Sequence, residues 1–269
     1  MLAEFIAWLA TPAPRHLRQM GYPREQIALC AREKRCRKAW AAHVRACRNA
    51  AAAAAADCPG KAKVAILGSG YLFDLPLAEL AELFAEVVLV DILHPAAARR
   101  QAKAFSNVSV VEEDLSGIAA ALYRHVAAGT PGPLPAPPQT GQTTASSWRD
   151  ADFILSLNVL SQLPVLPVAI AEKSGRFDDR AIADFRQGIL RRHLAMLAGL
   201  AGRVCLISET GRQITGGGIT IREDPLFGIG PAAAEWREAA AWVWDIAPRG
   251  ELYRDREVRL TVRALIRDI

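Results

Sequence analysis

KVAILGSGYLFDLPL, residues 63–77, is the stretch that decides the fold. Val64, Ala65, Ile66 and Leu67 form an unbroken apolar run, as a strand covered on both faces requires. The run stops at Gly68-Ser69-Gly70, and an apolar segment resumes beyond it. Paired glycines at a strand end permit a sharp turn and let a ligand approach bare main chain.

Working outward, strand and helix signals alternate. Apolar runs at 64–67, 87–90, 108–111, 153–157 and 204–208 read as strands, and helical patterns fill 75–83, 95–105, 118–127 and 178–200. This rhythm predicts an α/β, doubly wound, mostly parallel sheet. Runs at 241–246 and 258–266 follow with no helix between them, so they should pair antiparallel and complete a seven-stranded sheet. Residues 128–147, rich in Gly, Pro, Thr and Ser, read as a flexible loop. Residues 211–231, with Gly216-Gly217-Gly218, read as a mobile crossover near the ligand edge of the sheet. No internal repeat is present.

The first 60 residues differ from the rest. Pro12 and Pro14 end a first amphipathic helix, Gly21-Tyr22-Pro23 makes a turn, and residues 25–56 carry nothing that breaks a helix. Asp57-Cys58-Pro59-Gly60 ends it. The division predicted is a helical N-terminal appendage or lid over 1–60 and a main domain over 61–269. The formal net charge is +5, yet residues 1–60 hold ten Lys/Arg against four Asp/Glu. The basic character therefore belongs to the appendage and says little about the ligand of the main body. Five cysteines without a dense framework point to a reducing compartment. The first ten residues lack a basic n-region, and no stretch is apolar enough to span a bilayer. A cytoplasmic protein with no membrane association is expected.

Several ligands use a glycine turn. A nucleoside triphosphate loop needs a Lys-Ser/Thr pair after its glycines, and none is present. A dinucleotide turn wants a third glycine where Phe73 stands, so the pattern is incomplete for NAD. Asp91 ends the second strand, 21 residues after Gly70. A carboxylate there can accept hydrogen bonds from ribose hydroxyls of any adenosine. The third strand runs into Glu112-Glu113-Asp114-Leu115, where an acid can receive an adenine amino group.

In this order (GSG after strand one, VD after strand two, EEDL after strand three, ADFILSLNVLSQLP at strand four, an antiparallel pair at the end) residues 61–269 resemble the class I S-adenosylmethionine-dependent methyltransferases. The resemblance implies a Rossmann-like domain with S-adenosyl-L-methionine as cofactor. It implies Gly68, Ser69 and Gly70 at the amino-acid part of the cofactor, Asp91 at the ribose, Asp114 or Glu113 at the adenine, and Asn158 facing cofactor and methyl acceptor. The sequence departs from the family at two places. Ile66 stands where an acid is usual, and Leu72 stands at the third glycine; Asp74 is the candidate to replace the missing acid.

Methyl transfer needs alignment and exclusion of water more than a strong dyad. Asn158 and Gln162, at a strand end, could orient a polar acceptor, or cap the following helix. His94 could act as a base, or serve only the fold. Trp242 and Trp244 share a strand face and could stack on a flat substrate, with core packing the favoured reading. Glu251 reads as a solvated acid in a turn. Cys36, Trp40, His43 and Cys47 share one helix face; His43 and Cys47 could share a metal, but a face buried against the main domain is preferred and no metal is expected. The opposite face carries Arg32, Lys34, Arg35, Arg37, Lys38, Arg45 and Arg48. It could grip a nucleic-acid backbone, against the plainer reading of a solvated face.

The function these readings favour is S-adenosylmethionine-dependent methyl transfer to a small-molecule acceptor. Two rivals stand beside it. One is another enzyme of the same fold, a nicotianamine-synthase-like transferase or an NAD enzyme. The other is a non-catalytic, methyltransferase-like binding protein.

Overall fold

The computed structural model describes residues 12–138, 146–231 and 235–268. The segment expected as a first helix, residues 1–10, lies outside them. Helix α1 (Arg15–Met20) ends on Gly21 in the left-handed region, φ 92°. Helix α2 (Tyr22–Ala56) starts with Pro23 in its first turn and stops at Asp57, as the proline and the Asp-Cys-Pro-Gly stop signal require.

Then follow β1 (Lys63–Leu67), α3 (Leu77–Leu83), β2 (Glu86–Asp91), α4 (Ala96–Ala102), β3 (Val108–Glu112), α5 (Ala119–Ala127) and β4 (Phe153–Leu157). A 3-10 turn (Leu160–Gln162), α6 (Val165–Lys173), α7 (Asp179–Ala198), β5 (Arg203–Gly216), β6 (Ile219–Glu223), β7 (Arg237–Ala247) and β8 (Glu257–Arg267) complete the described elements. The sheet order is β3-β2-β1-β4-β5-β8-β7, and β6 pairs only with β5. Strands β1 to β5 are parallel neighbours. Strand β8 runs antiparallel to both β5 and β7. The doubly wound, mostly parallel sheet with a closing antiparallel pair is therefore present.

Two details differ from the sequence reading. The sheet has eight strands, not seven. Residues 211–231 are not simply a crossover: β5 continues to Gly216, and Gly216-Gly217-Gly218 forms the turn into β6. All three glycines have positive φ, the backbone that a tight hairpin turn demands.

Val64 through Leu67 are fully buried, because apolar layers cover both faces of the sheet. Burial of Val64, Ile66 and Leu67 stabilises the fold by roughly 1.5–3 kcal/mol each. One layer joins Cys36, Trp40, Cys47, Ala51, Ala54 and Ala55 of α2 to β1, β2, β4, β5 and β8. Alanines at the end of α2 let its backbone come close to the strands. The buried face predicted for α2 is thus observed, and Trp40 donates to the Ile246 carbonyl at 3.0 Å. Glu251 is not merely solvated. It accepts from Arg35 at 2.7 and 3.1 Å and tethers α2 to the β7–β8 connection.

Candidate functional site

The chain runs outward from β1 to β3, then returns to place β4 on the other side of β1. The crevice beyond the carboxyl ends of β1, β2 and β4 is where open α/β sheets bind ligands. Gly68, Ser69 and Gly70 stand at its floor. Gly68 (φ 84°) and Gly70 (φ 49°) lie in the left-handed region, and so does Leu72 (φ 64°). The third-glycine backbone is therefore kept with a leucine in it, at a conformational cost of roughly 1–2 kcal/mol. Leu72 is buried in the core, which offsets that cost.

The two glycines are needed for different reasons. A Cβ on Gly68 would lie 2.5 Å from Val159 Cβ, so this glycine serves packing against the β4 end. A Cβ on Gly70 would meet nothing closer than Asp91 Oδ2 at 3.8 Å. The space in front of Gly70 is open, and its amide donates to Asp91 Oδ2 at 2.8 Å. Asp91 Oδ1 accepts from its neighbour's amide, Ile92, at 2.7 Å. The Leu93 amide bonds the same carboxylate, which leaves one of its four lone pairs for a ligand. Burial pushes the Asp91 carboxyl up to about 6, against the pull of the Gly70, Ile92 and Leu93 amides.

Other predicted residues are held by the fold. Ser69 and His94 bond to each other, Oγ to Nε2, at 2.9 Å. Both are 2 % exposed. Burial, with Arg99 adding to it, pulls His94 down to about 4. The ring is neutral and braces the glycine turn from behind, and a value so low makes it a weak proton acceptor. The Asp114 carboxylate accepts from the Ser116 amide (2.9 Å), the Ser116 hydroxyl (2.5 Å) and the Ala119 amide (2.8 Å). It fixes the entry to α5. Glu113 accepts from Ser146 at 2.7 Å and Trp148 at 2.8 Å. Tyr22 packs against the apolar cluster that holds Leu93, Ile118 and Ala119; burial raises its phenol, and the charges of Asp114 and Asp91 raise it further.

Asn158 follows β4 with φ 47°, a left-handed position that asparagine tolerates better than most residues. Its Nδ2 donates to Asp74 Oδ2 at 2.6 Å and to Cys47 Sγ at 3.4 Å. Its Oδ1 is buried without a partner. Burial raises Asp74, with the hydrogen bond from Asn158 pulling the other way. Glu209, 3 % exposed on β5, accepts from Ser161. Burial raises its carboxyl, and the Asp74 charge adds to the rise. Gln162 hydrogen-bonds the same carboxylate. The register of β5 against β8 shifts between Glu209 and Gly211, and such an irregularity re-aims a side chain.

His43, Cys47 and Asp74 bring their ligand atoms within 4.8 Å of one another. The indole of Trp242 donates to His43 Nδ1 at 3.0 Å. Burial draws His43 down to about 3, so the ring is neutral and its one proton sits on Nε2, toward Cys47 at 3.5 Å. A nitrogen that carries a proton offers no lone pair to a metal. The trio reads as a hydrogen-bond relay. Trp244 stacks on His43 at 3.9 Å and meets Trp40 edge-on, so it is core, as preferred from sequence.

The sequence reading missed Glu209. Its one signal was an acid directly after the apolar run VCLIS. Shallow clefts lie elsewhere, one of about 360 Å³ between α2 and residues 71–73, another of about 460 Å³ beside Trp236 and Leu226. None of the described helices is long and apolar enough to cross a membrane.

No family model and no curated protein matches this sequence. Among solved structures, the chain is similar to a Burkholderia thailandensis 1,6-didemethyltoxoflavin-N1-methyltransferase with bound 1,6-didemethyltoxoflavin and S-adenosylhomocysteine, at 15% identity over 96% of this chain and 92% of that one, TM-score 0.42. It is similar to the N-methyltransferase NodS of Bradyrhizobium japonicum WM9 in complex with S-adenosyl-L-homocysteine, at 12% identity over 97% and 96%, TM-score 0.34. A SAM-dependent methyltransferase of Leishmania major matches at 11% identity over 98% and 81%, TM-score 0.37.

Proposed function

We propose that this chain is a cytoplasmic S-adenosylmethionine-dependent methyltransferase with a small-molecule acceptor. One observation carries the reading. The Gly70 amide and the Asp91 carboxylate are joined at 2.8 Å across neighbouring strand tips, with open space before the Gly70 α-carbon. That pairing offers bare main chain to the methionine end of the cofactor and an acid to its ribose.

The residues fit the cofactor in other respects. Ile66 is buried in the core and cannot receive the methionine ammonium. Asp74 stands near the first strand end, and among the described residues no cation forms a salt bridge with it. We assign it the ammonium. The bound cofactor supplies an electrophilic methyl on a sulfonium that is its own leaving group. The chain's part is to align the acceptor through Asn158 and Gln162 and to keep water out. Residues 1–60 serve as the cover, with Tyr22 moving aside as the nucleoside enters between Asp91 and Asp114. The basic outer face of α2 is assigned no nucleic acid: Arg35 is taken by Glu251 and Arg37 by Glu33.

A second reading has one observation in its favour. Tyr22 is packed against the Leu93 and Ile118 cluster and feels the charges of both Asp91 and Asp114, as a side chain would in a non-catalytic relative that has closed its site. Calorimetric titration with S-adenosylmethionine, S-adenosylhomocysteine and NAD separates the two. Tight binding of the first two, weakened at least about tenfold in Asp91→Ala, is expected, since a lost hydrogen bond to a charged group costs about 1.5–3 kcal/mol. Unchanged affinity in the variant overturns the role of Asp91, and no binding favours the closed relative. Product analysis then distinguishes S-adenosylhomocysteine with a methylated acceptor from methylthioadenosine, the mark of a nicotianamine-synthase-like transfer.

A further inference from the structure

The buried polar group at the β4 and β5 ends is short of positive charge. Glu209 is 3 % and Asn158 8 % exposed. The Asp74 and Glu209 carboxylates are close enough for each other's charge to matter. Among the described residues no lysine, arginine or histidine forms a salt bridge with Glu209. Arg48, whose charge reaches Asp74, spends a guanidinium N–H on the Phe73 carbonyl at 2.7 Å. Asp74 is half-buried, but Glu209 is buried, and a buried carboxylate is normally paired, since leaving it charged without a cation is costly. Beside them Asn158 Oδ1 has no donor among the described residues.

This is a surplus of acceptors in a dry place. Asn158 Nδ2, Ser161 Oγ and Gln162 are already spent on the two carboxylates. A partner that brings positive charge and more than one N–H would serve the carboxylate and the amide oxygen together. A divalent metal matches the charge but not the ligands, because the His43 lone pair is taken by Trp242. A protonated amine matches both.

We propose that Glu209 and Asn158 Oδ1 form a receptor for a protonated amine, and that the methyl acceptor of this protein is an amine. The proposal rests on the methyltransferase reading for its second half only. Asp74 is left for the ammonium of the cofactor, so the two carboxylates meet two cations. In the reaction Glu209 takes one proton from the bound ammonium, which frees the nitrogen lone pair. The nitrogen then forms its bond to the methyl carbon as the carbon–sulfur bond breaks, with that electron pair staying on sulfur. The product leaves as an N-methylammonium ion. Burial raises the Glu209 carboxyl, the direction a proton acceptor near neutrality needs.

The test is a titration of the full chain with methylammonium chloride, followed by calorimetry and by the carbon-13 signals of labelled glutamate carboxyls. Methylammonium is expected to bind, to shift one buried glutamate signal, and to raise the melting temperature. Tetramethylammonium, which has the charge but no N–H, is expected to do none of the three. Glu209→Gln is expected to weaken methylammonium at least about tenfold, the loss of one charged hydrogen bond. If that variant does not fold, the labelled-carboxyl shift in the wild type decides alone. No shift, equal binding of tetramethylammonium, or zinc chloride binding that displaces methylammonium overturns the proposal. A parallel S-adenosylhomocysteine titration keeps the two readings apart. Binding of methylammonium without S-adenosylhomocysteine removes methyl transfer but keeps the amine receptor. The reverse result removes the receptor and leaves the methyltransferase.

Discussion

Three histidines make this fold sensitive to mild acid. His43, His94 and His193 are at most 2 % exposed. Burial draws His43 and His193 down to about 3 and His94 to about 4. In the unfolded chain each titrates near about 6.5. Their folded values are depressed, so the stability tied to their neutral forms is complete above that unfolded value and falls as pH drops toward 3–4. Asp91 acts in the opposite sense. Its folded value, raised to about 6, lets the native state take up a proton before the unfolded chain does. From these four groups the unfolded state binds about two more protons than the native one near pH 5, a slope of about 2.7 kcal/mol per pH unit, and the raised Asp74 and Glu209 carboxyls act in the sense of Asp91 and make it shallower. Against a total of about 5–15 kcal/mol, two pH units remove a large share of the stability.

Urea unfolding at pH 7, 6 and 5 measures that slope. His193 is the informative site, since its Nε2 meets Ser156 at 3.0 Å while its Nδ1 is buried without a partner. His193→Gln keeps a polar end for Ser156 but cannot take the proton. The expected result is a slope lower by one proton, about 1.4 kcal/mol per pH unit. An unchanged slope, or a His193 ring signal that titrates near the unfolded value in the native wild type, would falsify the reasoning.

Two further outcomes follow from the site and its tether. Gly68→Ala places a methyl 2.5 Å from Val159 at φ 84°, so it should cost about 2 kcal/mol or more, read as a lower urea midpoint; Gly70→Ala, with no close neighbour, should disturb S-adenosylhomocysteine binding more than stability. Glu251→Gln removes the bidentate acceptor of Arg35, whose side chain is 56% exposed. A loss of about 1 kcal/mol or less is expected, and it should vanish in molar salt, because a solvent-facing pair is screened.

The parallel sheet was legible because its strands are apolar without interruption, and only a strand covered on both faces can be so. The Gly70–Asp91 link was legible for a related reason: both residues end strands, and strand ends that neighbour in a parallel sheet must meet. Helix α6 escaped notice because Pro167 lies in it, yet at its third residue the ring displaces no helical hydrogen bond. Strand β6 escaped because IRE after a triple glycine looks like loop, and its pairing depends on how far β5 extends.

The cluster proposed as an amine receptor was illegible for a deeper reason. Asn158 and Asp74 are 84 residues apart, and Ser161 and Glu209 are 48 apart. No local pattern connects them, because the sheet order alone brings the ends of β1, β4 and β5 together. What sequence does record is the anomaly of each part: an acid where the strand should still be apolar, an asparagine in a left-handed turn, a histidine on the dry face of a helix. Each alone has a structural excuse. Together they leave a buried and a half-buried carboxylate and an amide oxygen side by side, with no salt-bridged cation among the described residues, and stability alone does not call for such an arrangement. Apolar residues of similar volume at Asp74 and Glu209 would serve the fold as well or better, so the carboxylates there are better accounted for by a ligand that carries the missing charge.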